Sequence, residues 1–109
     1  IGAAGLLYID WINRSADFSF YIGQDNKYID NGDYSTEAVG LLIDYGFCNL
    51  NLNKIWMELY EFDKRKKNFF SDKFNFKTDG VLRQNCFEKG KYWDSFIISL
   101  LKEDYEMLI

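Results

Sequence analysis

Apolar residues change their spacing along the chain in a way that lays out successive elements. Ile1 to Asp10 is an apolar run with small residues (Ala3, Ala4, Gly5) ahead of Leu6, Leu7, Tyr8 and Ile9, a pattern that suits a central strand. Asn13-Arg14-Ser15 is a turn signal, and Ala16 to Ile22 then partly alternates, which predicts a second strand antiparallel to the first. Gly23 to Asp33 is rich in Asp, Asn and Gly and reads as loop. From Ser35-Thr36-Glu37 onward the spacing becomes helical: Ala38, Leu42 and Tyr45 fall on one stripe, with Val39, Ile43, Phe47 and Leu50 beside it. Ser35 or Thr36 is the expected N-cap, Glu37 puts negative charge in the first turn, and Asn49 to Asn53 ends the helix.

Lys54 to Phe62 alternates again, with Ile55, Met57 and Leu59 set against Trp56, Glu58 and Tyr60. Asp63 can cap a second helix to about Lys73, with Phe69 and Phe70 turned inward. Phe76 to Leu82 and Arg83 to Glu88 read as strand segments loosely separated around Gly80. Lys89-Gly90 is a hairpin turn, Tyr92 to Leu101 a last strand, and Lys102 to Ile109 a short helix or tail. Within this order, strand, loop, helix and strand from Ala16 to Tyr60 form a βαβ unit, whose two strands are expected to be parallel. Its loop empties onto a helix N-terminus. Unpartnered amides and the positive end of the helix dipole make that place a natural seat for a phosphate-bearing ligand.

Composition narrows the chemistry. At 109 residues the chain predicts a single domain over 1–109, and 48% hydrophobic residues supply a core and exclude disorder. A formal charge of -4 argues against nucleic acid, although Lys64-Arg65-Lys66-Lys67 is a compact basic run. There is no His, which removes Ser-His-Asp and Cys-His catalysis and histidine-ligated metals. Cys48 and Cys86 are too few for a zinc site or a disulfide framework, so no metal is expected and reduced, cytoplasmic thiols are. No apolar run approaches membrane-helix length. The chain opens with Ile1-Gly2 inside a strand-like pattern and without an initiator Met, as would the later part of something longer.

Read together, the segments Ile9 to Ala16 (IDWINRSA), Phe20-Tyr21-Ile22-Gly23, Tyr34-Ser35-Thr36-Glu37-Ala38, Leu50 to Ile55 (LNLNKI), Gly80-Val81-Leu82-Arg83, Phe87 to Asp94 (FEKGKYWD) and Leu100 to Tyr105 (LLKEDY) are similar to those of GNAT-fold N-acetyltransferases. The nearest branch resembles the bacterial ribosomal-protein and spermidine N-acetyltransferases. The resemblance implies an α/β (α+β) fold with a mixed, mostly antiparallel sheet, one parallel βαβ pair and helices packed on it. It covers the C-terminal two-thirds or so of the family fold, without the front strand and helices that form much of the acceptor site.

The implied reaction is acetyl transfer from acetyl-CoA to a primary amine: a protein N-terminus, a polyamine or a small amine. The implied cofactor-binding residues are Phe20, Tyr21 and Ile22 along the pantetheine arm. Gly32, Asp33, Tyr34, Ser35 and Thr36 would lie at the diphosphate, and Asp63, Lys66 and Lys67 at the second helix. The implied catalytic residues are Glu58 or Asp17 as base, with Tyr60 as proton donor to the thiolate; Tyr92 and Tyr21 are the other tyrosines that could serve.

The sequence departs from the family at several of these places. The glycine positions of the diphosphate loop hold Asp33 and Ser35, its basic or amide position holds Asp30, and the tyrosine position of the second helix falls on Phe69 or Phe70. By local pattern alone the loop is also an ordinary capped helix start, Lys64 to Lys67 a solvated face, and Glu58 and Asp17 exposed strand carboxylates. Two other functions therefore stand beside the first. One is a nucleotide-sugar amine N-acetyltransferase. The other is a module that has lost catalysis and binds CoA or a partner, with an open sheet edge through which a homodimer would form.

Overall fold

The computed structural model describes residues 2–22 and 34–107, with side chains at 5–19 and 36–107. Five strands and three helices follow in the order β1 (Gly2–Asp10), β2 (Ser15–Ile22), α1 (Tyr34–Asp44), β3 (Lys54–Tyr60), α2 (Lys64–Phe74), β4 (Lys77–Glu88), β5 (Lys91–Leu101) and α3 (Lys102–Glu106). The strands make one sheet in the order β1-β2-β3-β5-β4. β2 and β3 are parallel, and every other neighbour is antiparallel. The mixed, mostly antiparallel sheet expected from the sequence is present, with its single parallel pair.

One face of the sheet is apolar because the strands alternate. Ile55, Met57 and Leu59 are buried on β3, Ala16 and Phe18 on β2, and Ile98 and Leu100 on β5. Val39, Ile43 and Phe47 of the α1 segment and Phe69 and Phe70 of α2 join them in one core. Phe70 is fully buried and sits among Phe18, Phe69, Phe74 and Phe76, with ring centroids 5.1 to 6.4 Å away. Gly46, in the turn that follows α1, packs tightly on the sheet: an added Cβ would lie 3.0 Å from Ile55 Cδ1 and 3.1 Å from Leu6 Cδ1.

Three details differ from the sequence expectation. The first helix starts at Tyr34, so Ser35 and Thr36 lie inside its first turn rather than capping it. Its last turn, Tyr45–Asn49, widens to a π-helix closed by Leu50 N–H to Tyr45 C=O at 3.1 Å. β4 is one twelve-residue strand instead of two, with pairing irregularities at Thr78/Gly80 and at Leu82/Cys86. Asp63 does cap α2, accepting the Lys66 N–H at 3.4 Å, and Asn75 ends it in the left-handed conformation.

Candidate active site

The parallel pair is short. β2 and β3 pair only at Ser15–Lys54, Ala16–Ile55 and Asp17–Trp56, although β2 runs on to Ile22 and β3 to Tyr60. Past Asp17 and Trp56, among the described residues, β2 pairs only with β1 and β3 only with β5. The two strands therefore separate toward their C-terminal ends and leave backbone groups free of each other. Such a gap accepts an extended ligand by main-chain pairing.

α1 opens at the same end of the sheet. The C-terminal side of the helical segment is tied to the run into β3 by Leu52 N–H donating to Gly46 C=O at 3.0 Å. The start of β3 is tied to the approach to β2 by Asn53 N–H and Lys54 N–H donating to Arg14 C=O at 2.7 and 3.1 Å. A helical segment of this length spans about 24 Å, so its first turn lies at the far, diverging end. There Thr36 Oγ1 is buried without a hydrogen-bond partner among the described residues. A buried hydroxyl with nothing to bond is rare in a folded chain and marks a place where a ligand or water completes the network. Gly32 and Asp33 lie outside the described residues, as do the side chains of Phe20, Tyr21, Ile22, Tyr34 and Ser35.

The sheet face turned away from the helices carries the polar candidates. Asp17 pairs with Trp56 and so shares its face, as does Glu58 two residues on. Burial first, and the nearby Glu58 charge second, raise the Asp17 carboxyl above the usual aspartate range. Glu58 is exposed and accepts a hydrogen bond from Asn85 Nδ2 at 2.9 Å. Tyr60 ends β3 on the same face and stacks on Phe62, with centroids 5.5 Å apart. Asp17, Glu58 and Tyr60 thus lie on one surface next to the gap. Tyr92 does not join them: it is exposed and packs edge-on against Phe87 beyond the end of β3.

The basic run divides. Lys66 is lowered by burial, only partly offset by the Asp63 charge. Lys67 Nζ lies 4.1 Å from the centroid of Phe96 and lines a groove of about 320 Å³ with Tyr60, Glu61, Asp63, Lys64, Asn68 and Phe96. Phe69 and Phe70, at the family's tyrosine position, are both in the core.

These features have counterparts. The chain is 33% identical over 105 residues to the uncharacterized N-acetyltransferase p20 of Bacillus licheniformis, covering 96% of this chain and 57% of that protein. The chain has the GNAT fold and resembles N-acetyltransferases of that fold in sequence. It is 26% identical to a spermidine N(1)-acetyltransferase of Vibrio cholerae, over 96% of this chain and 58% of that protein. A crystal structure of a Vibrio cholerae spermidine/spermine N-acetyltransferase, SpeG, superposes with a TM-score of 0.82 at 26% identity, over 98% of this chain and 61% of that one. A dodecameric structure from the same organism matches at 0.84 and 27%, over 96% and 59%. The GNAT chain described here spans a little over half the length of the relatives it matches. No protein-family model matches it.

One neighbour of this site was missed from the sequence. Asn85 bonds Glu58 from β4, two strands away, and the only hint was an Asn inside a strand-like run, where Asn is disfavoured.

Proposed function

We propose that this GNAT chain serves acetyl transfer from acetyl-CoA to a primary amine, on a protein N-terminus, a polyamine or a small amine. The observation that carries the reading is the separation of β2 from β3 after Asp17 and Trp56, with the first turn of α1 at the same end. The orphaned Thr36 hydroxyl fits a diphosphate, which offers an acceptor to any free donor there. Amides of Gly32 to Thr36 would hold that diphosphate, with Asp63, Lys66 and Lys67 on the α2 side. The β2 backbone at Phe20 to Ile22 would pair with the pantetheine arm and turn an N–H toward the carbonyl, an oxyanion-type contribution. When bound, acetyl-CoA supplies the activated acetyl group.

Deprotonation of the incoming ammonium falls to Glu58 or Asp17. Asp17 is suited to it because its raised carboxyl is closer to the working pH than an ordinary aspartate. Tyr60 would return a proton to the departing thiolate. Millimolar acetyl-CoA should raise the melting temperature by several degrees, since saturation at 100 times Kd adds about 2.7 kcal/mol. A free-thiol assay with a polyamine, a peptide and an amino-sugar then identifies the acceptor. An unmoved melting temperature would remove the ligand from the reading. A second reading, binding without transfer, is favoured by the phenyl rings of Phe69 and Phe70 where the family resemblance wants a hydroxyl. It is distinguished by a melting shift with no thiol release. Self-association through an outer strand, β1 or β4, is part of the proposal and is checked by light scattering.

A further inference from the structure

The second irregularity of β4 is a built feature. Leu82 pairs with Ser95 and Cys86 with Trp93, so Arg83, Gln84 and Asn85 stand opposite Asp94 alone. Gln84 takes φ +50°, a left-handed conformation that is costly for a residue with a side chain. The surrounding bonds hold it there. Asp94 Oδ1 accepts the Gln84 N–H at 2.9 Å, Asp94 N–H donates to Glu61 Oε1 at 2.9 Å, and Glu61 N–H donates to Asp94 C=O at 2.9 Å. The bulge is thus anchored to the end of β3, the strand that carries Glu58 and Tyr60.

A bulge re-aims the side chain beside it, and strain persists where the surroundings hold it in place. Here the re-aimed side chain is Asn85. Its Nδ2 donates to Ser95 Oγ at 3.2 Å and to Glu58 Oε2 at 2.9 Å. It reaches across β5 because residue 95 is a serine, fully buried and small enough to pass beneath it. Both amide hydrogens are used, so the carboxamide has one orientation, and one oxygen of Glu58 is claimed while the other has no partner among the described residues.

We infer that the Arg83–Asn85 bulge makes Asn85 a positioning residue for Glu58, fixing the carboxylate that takes the proton from the acceptor amine. This rests on the proposed function and adds β4 to the site. The test compares Glu58→Gln, Asn85→Ala and Asn85→Gln with the unsubstituted chain in acetyl-CoA-dependent thiol release with spermidine as acceptor. Asn85→Ala is expected to lower kcat about tenfold with KM for acetyl-CoA unchanged and with a melting temperature within about 2 °C of the parent. Asn85→Gln, which keeps the amide donor, is expected to recover part of the loss. If the parent chain shows no turnover, the functional reading fails and this inference with it. If Glu58→Gln leaves turnover intact, the base is Asp17, acetyl transfer stands and the role of Asn85 is overturned. If Glu58→Gln abolishes turnover while Asn85→Ala leaves kcat unchanged, or lowers it only in step with the melting temperature, the reading stands and the role of Asn85 is overturned.

Discussion

Phe70→Tyr tests why this chain has no hydroxyl where the family it resembles has one. Phe70 is fully buried, and its neighbours at ring-contact distance among the described residues include Phe18, Phe69, Phe74 and Phe76, which offer no acceptor. A hydroxyl added at the far edge of the ring would lose its water without gaining a partner, at a cost of about 1 to 3 kcal/mol. Room for the oxygen would have to be made in a packed cluster, adding about 1 kcal/mol more. A total near 3 kcal/mol, divided by an unfolding entropy of about 2.1 cal/mol/K per residue over 109 residues, lowers the melting temperature by about 13 °C. Phe87→Tyr is the control: Phe87 is exposed, so an added hydroxyl keeps its water and a change below about 2 °C is expected. Both are measured by circular dichroism melts at pH 7. A Phe70→Tyr variant that melts within 2 °C of the parent would refute the argument, because the far edge of the ring would then face water or a partner and core packing would not explain the missing tyrosine.

Thr36→Val removes the buried hydroxyl at the start of α1 that has no partner among the described residues, so the chain without ligand should melt at the same temperature or slightly higher. The same variant should bind acetyl-CoA about fivefold more weakly by calorimetry, and equal affinity would take Thr36 out of the site. Lys67→Glu places a negative charge on the groove beside α2 and should weaken CoA binding about tenfold at low salt, with the difference shrinking as salt is added. Asp17 is raised by burial and by Glu58, so its stabilising contribution is complete below the ordinary aspartate range and is lost as pH rises through the elevated value. Asp17→Asn should therefore melt above the parent at pH 7, with the advantage vanishing below about pH 4. An advantage that stays constant across that range would contradict the sign.

Much of the architecture was legible because it depends on local rules. Alternation marked β3 down to which of its residues are buried, Asp63 marked the start of α2, and Lys89-Gly90 marked the hairpin. The features that were illegible are those in which distant contacts override a local preference. Gly80 looked like the break in β4, yet the larger irregularity lies at Arg83–Asn85, where Asp94 and Glu61 hold a non-glycine backbone at positive φ. The π-turn at Tyr45–Asn49 is set by packing on one side: Phe47 stacks on Tyr105 at 4.9 Å, and the Tyr105 hydroxyl donates to Asp44 Oδ1 at 2.6 Å. Nothing within the helix announces those partners. In the candidate site, the shared face of Asp17, Glu58 and Tyr60 follows from alternation along β2 and β3. The place of Asn85 does not, because a bulge alters that alternation.

The brief contact between β2 and β3 has a mechanical consequence. Among the described residues, three residue pairs form the seam between two leaves of the sheet, β1–β2 on one side and β3–β5–β4 on the other. Two such leaves can flex about the seam like a book about its spine, with the core residues of α1 and α2 bridging one cover to the other. Any molecule that bonds to both open pages should damp that flexing. Amide hydrogens along the spine would then exchange more slowly, while those at the far hairpin tip, Glu88 to Lys91, keep their own rate.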